Sequence, residues 1–372
     1  MMDMMGLIIT ENDVHINGLT EKRSVSALPI AGRYRLIDFI LSNMVNSGIY
    51  NVGVITQNNY SSLMDHLGSG KEWDLSRKND GLHILPPYLG RGLHGPGEGN
   101  IDMISAVQGY LRRSKQRYIV ISEGNTICNM RFNEVLKFHL SKQADITVVF
   151  NEVDNDDQEL LSKLTYLEID DENRIQNIEV KPRWAKSRFA SMDMFLLDKG
   201  FLQYLIDEAI SRGEHDFVRD ILIKKLSKYR IFGYKFNGYT GRINSIRSYY
   251  KNNMSFLSEN VRAELFNPEN PIYTKIKDQV PTKYGSNAVV KNCLVADGCT
   301  IEGEIENSII FRGVYIGKGS KIRNSIVMQD SVIQNACELD NIVMDKEVTV
   351  REGRRLMGDE NYPMILPKGS VV

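Results

Sequence analysis

The sequence predicts a two-part chain: an α/β domain with a mainly parallel sheet, followed by a left-handed parallel β-helix. Three observations predict it. Short β-branched runs alternate with helix-like segments along the first part of the chain. A proline-rich stretch then breaks the pattern, and beyond it aliphatic residues recur every six positions.

The elements follow in order. Met5, Leu7, Ile8 and Ile9 begin a first strand, and "NVGVITQ" (51–57), "RYIVISE" (117–123) and "ADITVVF" (144–150) read as further buried strands. Between them, "RLIDFILSNMVNSG" (35–48) places Leu36, Phe39, Ile40, Met44 and Val45 at helical spacing, with Gly48 as the stop. Further helices are expected near 102–113 and 133–142. Such alternation implies a sheet covered on both faces. "LTYLEIDDENRIQNIEVKP" predicts a hairpin closed at Asp170–Asn173, and "HDFVRDILIKKL" (215–226) a capped helix. "FNPENPIYTKIKDQVPTKYG" (266–285) has three prolines and a glycine, and predicts a linker between a domain at 1–265 and a second at 286–372.

In the second domain Val289, Val295 and Ile301 stand six apart, as do Ile310, Ile316 and Ile322, and then Val327, Ile333 and Leu339. A coil with three short flat sides, each turning one aliphatic inward, satisfies this period. Three such triplets are more than an alternating strand would give, and an irregular antiparallel β domain is the alternative. The steps of nine from Ile301 to Ile310 and of five from Ile322 to Val327 require loops or shifted corners. Cys293 and Cys299, also six apart, fit corner or core positions better than ligand positions.

Composition excludes several classes. The 372 residues carry a formal net charge of −1, which gives no argument for nucleic acid or an anionic membrane. The start, MMDMMG, lacks a basic segment followed by an apolar one, and no apolar run is long enough to span a bilayer. Four cysteines without a CxxC pair fit a reducing cytoplasm and offer no metal framework. Of six histidines the last is His215, which disfavours the histidine-dependent acyl transfer that hexapeptide β-helices often support.

The loop after the first strand, "IITENDVHINGLTEKR" (8–23), has one glycine, Gly18, and carries Glu11 and Asp13. Phosphate-cradling loops at this place are glycine-rich, because bare backbone must approach the phosphates. Like charges at Glu11 and Asp13 would oppose such an approach.

Several stretches resemble the glucose-1-phosphate adenylyltransferase family: "LTEKRSVSALPIAGRYRLIDFILSNMVNSGIYNVGVITQ" (19–57), "GSGKEWDLSRKNDGLHILPPY" (68–88), "KPRWAKSRFASMDMFLL" (181–197), "HDFVRDIL" (215–222) and "ENSIIFRGVYIGKGSKIRNSIVM" (306–328). They run in the family's order along nearly the whole chain. The resemblance implies a nucleotidyltransferase-like, Rossmann-like first domain and the β-helix. It also exposes departures. Active members open with GGxGxRL, where this chain reads "TENDVHINGL". The family's KPA is Val25–Ser26–Ala27, so a phosphate-facing lysine is missing. Its GTADA base-binding stretch is Gly99–Asn100–Ile101–Asp102–Met103. Its GDHIYKMDY is "GNTICNMRF" (124–132), which puts Asn125 at the magnesium-holding aspartate. A neutral amide is a poor ligand for a hard dication. In-line attack on an α-phosphate needs cations to offset the gathered negative charge. If one lost donor costs about two to three powers of ten, losing all these together implies activity near background.

By the same resemblance, Lys181 and Ser191 mark a remnant sugar-phosphate pocket, although Val180 replaces a neighbouring glutamate. Asp220 falls at a second magnesium aspartate, but with Asp216 it also suits the first turn of a helix, and the capping reading is preferred. Arg242 replaces the aspartate of the family's RDVGT. Lys22, Arg23 and Arg35 match basic residues of an allosteric anion site, with subunit contact or a solvated surface as the plainer reading; Arg351, Arg354 and Arg355 are further candidates. The resemblance thus implies a non-catalytic regulatory subunit beside a catalytic ADP-glucose pyrophosphorylase subunit in a hetero-oligomer. It would answer to a phosphorylated sugar effector and need no cofactor, with magnesium relevant only to residual activity. An active nucleotidyltransferase with an altered site is the alternative.

Overall fold

A computed structural model of the chain describes residues 3–10, 16, 18–56, 59–86, 99–153 and 161–372. Glu11 and Asp13 lie outside the described residues, as do positions 87–98. The first domain is built on a nine-stranded sheet. At its centre strand Met4–Ile9 pairs in parallel with Asn51–Ile55 on one side and Tyr118–Glu123 on the other; Gly81–Leu85 extends the parallel run beyond Asn51–Ile55. The long strand Phe189–Asp198 is inserted antiparallel to Tyr118–Glu123. It also pairs with Ile146–Glu152, against which Ile231–Lys235 is parallel. The expected hairpin forms from Thr165–Ile169 and Ile175–Val180, with Asp170 Oδ1 accepting from the backbone of Glu172 and Arg174.

The pleat of the first strand sets the layers. Met5, Leu7 and Ile9 point into a core shared with helix Lys199–Ser211 and with Ile101, Tyr110 and Leu111. Met4 and Ile8 point the other way, toward helices Leu36–Asn46 and Phe132–Ser141. Gly6 lies on that second face, where a Cβ would overlap the Met44 sulfur, so the missing side chain lets helix Leu36–Asn46 sit close.

Three local expectations are refined. The helix expected near 102–113 is two short helices, Asn100–Ala106 and Gln108–Arg113, because Val107 leaves helical geometry with φ −103° and ψ 13°. The segment after His215 is a π-helical turn, Phe217–Ile223, whose cap Asp216 accepts from the backbone of Val218 and Arg219. Residues 266–282 hold no helix or strand, but they are packed rather than free: Pro271 O accepts from Asn46, Tyr273 N donates to Ser42, and Phe266 stacks on Tyr34 with centroids 5.0 Å apart. Lys283–Tyr284 already pairs with Thr300–Ile301, so the second domain begins inside the stretch read as linker.

That domain is a three-sided parallel β-helix of three five-stranded sheets. Ile316 stands beside Ile333, Ile322 beside Leu339 and Val327 beside Met344, so these middle coils are 17 residues apart, one short of three hexapeptides, whereas Val289 stands beside Glu304 and Ile342 beside Met364. The short step is taken at a corner where Asn307, Asn324 and Asn341 adopt left-handed backbone with φ 46°, 45° and 54°. Asparagine tolerates that conformation better than most residues. Cys299 and Cys337 lie in the buried stack and Cys293 is partly exposed. On one outer sheet the exposed rows alternate in sign: Glu304, Lys321, Glu338, Arg355 in one, and Lys291, Glu306, Arg323, Asp340 in the next.

The domains share a core. Ile16, Leu19, Val25, Phe39 and Tyr249 of the first pack with Ile309, Phe311, Ile326, Met328 and Val343 of the second. Across this seam Tyr250 Oη donates to Asn324 O at 2.6 Å, and Arg23 pairs with Asp345, their side chains 5% and 1% exposed. Breaking a buried pair from one side strands a charge. Asp345→Ala is therefore expected to lower unfolding free energy in urea by about 3–5 kcal/mol, while the double change Arg23→Met with Asp345→Leu recovers most of it. A single variant as stable as the parent would show that the pair does not fasten the seam.

Candidate functional site

The C-terminal ends of the central strands carry the residues singled out by the family resemblance. Gly124–Asn125 follows strand Tyr118–Glu123. Gly124 abuts the turn Val25–Ala27, where a Cβ would overlap Ser26 Oγ, so this glycine permits the close approach. Beside it the two-residue strands Thr126–Ile127 and Gly241–Arg242 pair antiparallel, with Arg242 opposite Thr126. Ile243 N donates to Asn125 O at 3.0 Å.

Arg242 organises this end of the sheet. Its Nη2 donates to Glu123 Oε2 at 3.1 Å, its Nη1 donates to Ser191 O at 3.2 Å, and it pairs with Asp193. Asn125 Nδ2 donates to the same Glu123 oxygen at 3.2 Å. Asp193 reaches the guanidinium because the long strand is irregular there: Ser191 pairs with Phe150 but Met194 with Val149, and the residues between them bulge, with Asp193 at φ 50°. Ser191 Oγ accepts from Asp193 N and donates to Asp193 Oδ1, which locks the bulge. The side chains of Arg242, Glu123 and Asp193 are only 16%, 19% and 11% exposed. A fixed organic cation thus stands among the carboxylates.

Magnesium does not fit these residues. The position of the metal carboxylate is Asn125, both nearby carboxylates are committed to Arg242, and the described residues contain no cluster of three or more His, Cys, Asp or Glu able to hold a metal.

A cavity of about 340 Å³ opens beside this network, lined by Ser191, Arg242, Lys251, Asn151, Asn244 and Tyr239 among others. Ser191 lies where a pocket residue is expected. Lys181 does not: it is exposed, follows strand Ile175–Val180 at φ 47°, and is absent from the lining. The lysine of this cavity among the described residues is Lys251, on helix Ile246–Ser255, and the buried Asn244 Oδ1 has no partner among the described residues. Val25 is buried in the interdomain core. Asp220 is not brought to Asn125 by any of its bonds. Its carboxylate accepts from the backbone of His215 and Asp216 and pairs with Lys224 at 2.8 Å, and that pairing holds its pKa at about 2. Asp102 caps its own helix through Gly99 N and meets His215 Nδ1 at 2.9 Å.

The basic trio separates. Lys22 is exposed, Arg23 is buried against Asp345, and Arg35 Nη1 donates to Ser62 O at 2.6 Å. Burial draws the Arg35 pKa down to about 10. Two further cations complete the cluster. Burial, with Arg35, Arg23 and Lys277 nearby, pushes Lys346 down to about 7 against the opposing effect of Asp345. The interdomain seam therefore gathers more positive than negative charge around Asp345. Arg355 lies elsewhere, on the β-helix face, paired with Glu338 at 3.2 Å.

Comparison with known proteins places this geometry. Residues 15–258 match the family described as nucleotidyl transferase, and residues 278–362 match one described as GlmU-like, C-terminal hexapeptide. The chain is 38% identical over 371 residues to a glycogen biosynthesis protein GlgD of Bacillus subtilis, covering 99% of this chain and 96% of that one. It is 35% identical over 348 residues to a glucose-1-phosphate adenylyltransferase of Acetivibrio thermocellus, covering 93% and 81%. The chain belongs to the glucose-1-phosphate adenylyltransferase family. A GlgD of Geobacillus stearothermophilus is similar at 38% identity, covering 99% of this chain and 97% of that one. No helix among the described residues is long and apolar enough to cross a membrane.

Glu123 and Asp193 were missed as functional residues in the sequence. An acid inside the otherwise apolar "FASMDMFLL" was the available signal for Asp193.

Two outcomes are expected. Arg242→Met should destabilise the fold by about 3–5 kcal/mol in urea, because two carboxylates lose their shared counter-ion. Asp220→Asn should cost on the order of 1 kcal/mol at neutral pH. The sign for Asp220 follows from its depressed folded pKa: the stability it supplies is present above its unfolded pKa and is lost as pH falls toward about 2. Melting curves of parent and variant should therefore converge between about pH 5 and pH 2.

Proposed function

We propose that this chain is a regulatory, catalytically inactive subunit that pairs with a catalytic glucose-1-phosphate adenylyltransferase subunit in the cytoplasm and tunes it in glycogen biosynthesis. The observation that carries the reading is Arg242 bound to Glu123 and Asp193 beside Asn125. A metal-dependent transfer of a nucleotidyl group onto a sugar phosphate needs a mobile dication and free carboxylates there, and this chain holds a tethered cation instead. Similarity to two GlgD proteins over nearly their whole length supports the same assignment. The partner would be stabilised in its active conformation through contact between subunits.

The regulatory signal would be a phosphorylated sugar at the interdomain cation cluster of Lys22, Arg23, Arg35, Lys277 and Lys346. Positive charge in excess of the carboxylates of Asp345, Asp38 and Asp65 favours a multiply charged anion. Lys181 would lie outside this site, and Ser191 with Lys251 would line a separate sugar-phosphate remnant.

Co-expression with a catalytic subunit tests the main reading. Co-purification and a change in the partner's rate or effector response are expected; no association and no change would sink it. Asn125→Asp alone should not produce magnesium-dependent ADP-glucose synthesis by the isolated chain, since Arg242 would still occupy the carboxylates. Fructose 1,6-bisphosphate is a suitable probe for the effector site. Lys346 has a folded pKa of about 7, so an anion beside it favours the protonated form. Binding at about pH 8 should therefore take up close to one proton, measured by calorimetry in two buffers of different ionisation enthalpy.

A further inference from the structure

A second cavity, of about 330 Å³, shares no lining residue with the one beside Arg242. It lies between the start of helix Phe132–Ser141, the end of strand Ile231–Lys235 and the turn after helix Glu259–Leu265. Its floor is an amide pair. Asn129 Nδ2 donates to Leu265 O at 2.7 Å and to Asn270 O at 2.9 Å, and Asn270 Nδ2 donates to Asn129 Oδ1. Asn270 is only 6% exposed, and its Oδ1 has no partner among the described residues. Buried polar atoms are rarely left so, and Asn270 is one of the residues that line the cavity.

The rest of the lining narrows the ligand. Glu134, Glu264 and Glu269 contribute three carboxylates against one cation, Arg131, which donates to Glu269 O at 2.8 Å. That balance repels phosphate esters and nucleotides. The carboxylates do not converge: no metal-holding cluster of acids occurs among the described residues. Tyr234 and Phe236 add aromatic surface. Spread acceptors, amides and an aromatic wall suit a neutral molecule rich in hydroxyl donors with one apolar C–H face. The volume is at the small end of ligand sites, room for one ring rather than a nucleotide.

We infer that this cleft binds a single neutral hexose unit, as a free sugar or as the end of a glucan chain. The Asn270 oxygen and the carboxylates accept from its hydroxyls, and the C–H face rests on Phe236. The inference stands independently of the regulatory reading.

Saturation-transfer NMR on the full chain with glucose, maltotriose and glucose 1-phosphate tests it, with affinities from calorimetry. Saturation transfer to glucose or maltotriose is expected, with affinity falling about tenfold in Phe236→Leu and in Asn267→Ala. Asn267 also lines the cavity and is exposed, with its Oδ1 accepting from Glu269 N, so that variant retains the fold, checked by thermal melting. Lys251→Ala, in the other cavity, should leave neutral-sugar binding unchanged. Equal affinity for glucose and maltotriose assigns the site to a free sugar, and tighter maltotriose assigns it to a chain end. No transfer to either sugar, undiminished binding in both variants, or loss of binding in Lys251→Ala overturns the inference.

Discussion

The rest of the structure hangs on one seam, where the β-helix and the α/β domain complete a single apolar core. Neither side of it could face water unaltered. Ile309, Phe311, Ile326 and Val343 present a hydrophobic face, and Ile16, Leu19, Val25 and Phe39 cover it. Gly18 shows how close the fit is. Its backbone is left-handed at φ 79°, and a Cβ there would come within 2.9 Å of Ile365. Ile16, Gly18 and Leu19 are therefore held against the β-helix. Leu19 and Val25 thus serve the packing of the second domain.

The same economy of charge governs the site. A sheet whose strand ends collect carboxylates must neutralise them, by a bound ion or by the chain itself. Arg242 is the second solution. It arrives by strand pairing with Thr126–Ile127, and the bulge at Met192–Asp193 delivers its acidic partner. Asn125 removes one negative charge and then spends its amide on Glu123. These changes support one another: a guanidinium between two acids and a missing lysine at Val25 form a consistent electrostatic balance, whereas any one alone would leave a charge unanswered. The cavity beside them survives because its walls, including Asn151, Tyr239 and Ser248, do not depend on the ion.

Much of this was legible in the residues, for identifiable reasons. The buried strands and helix Leu36–Asn46 announced themselves because burial on both faces or one stripe writes a period into the sequence. The six-residue repeat pointed to the β-helix, but not to the step of 17 in its middle coils, since a shortened corner leaves the inward positions aliphatic and the offset is carried by Asn307, Asn324 and Asn341. Asp216 and Asp220 were correctly read as helix-start residues, because capping is local. Lys181 was placed in the pocket by its position in a motif, yet contacts are set by the path of the chain, which leaves it exposed at the rim of a turn. Asp193, Lys251, Lys277 and Lys346 escaped notice for the converse reason. Each acquires meaning only from partners far away in sequence, and no local spacing reports such a meeting.

The alternating rows on the outer sheet of the β-helix have a consequence of their own. Within each row a charge is flanked by its opposite on the coils above and below, as Arg323 by Glu306 at 3.8 Å and Arg355 by Glu338 at 3.2 Å. From a distance such a face is nearly blank, because opposite charges one strand apart cancel well inside a screening length of about 8–10 Å. At contact it becomes a ruled scale. A surface bearing the complementary stripes would lock in one phase and be rejected when slid by a single coil, roughly 4.8 Å. A partner that met this flat side would thus be selected by alignment and not by net charge, and a polyanion would find no uniformly basic face there.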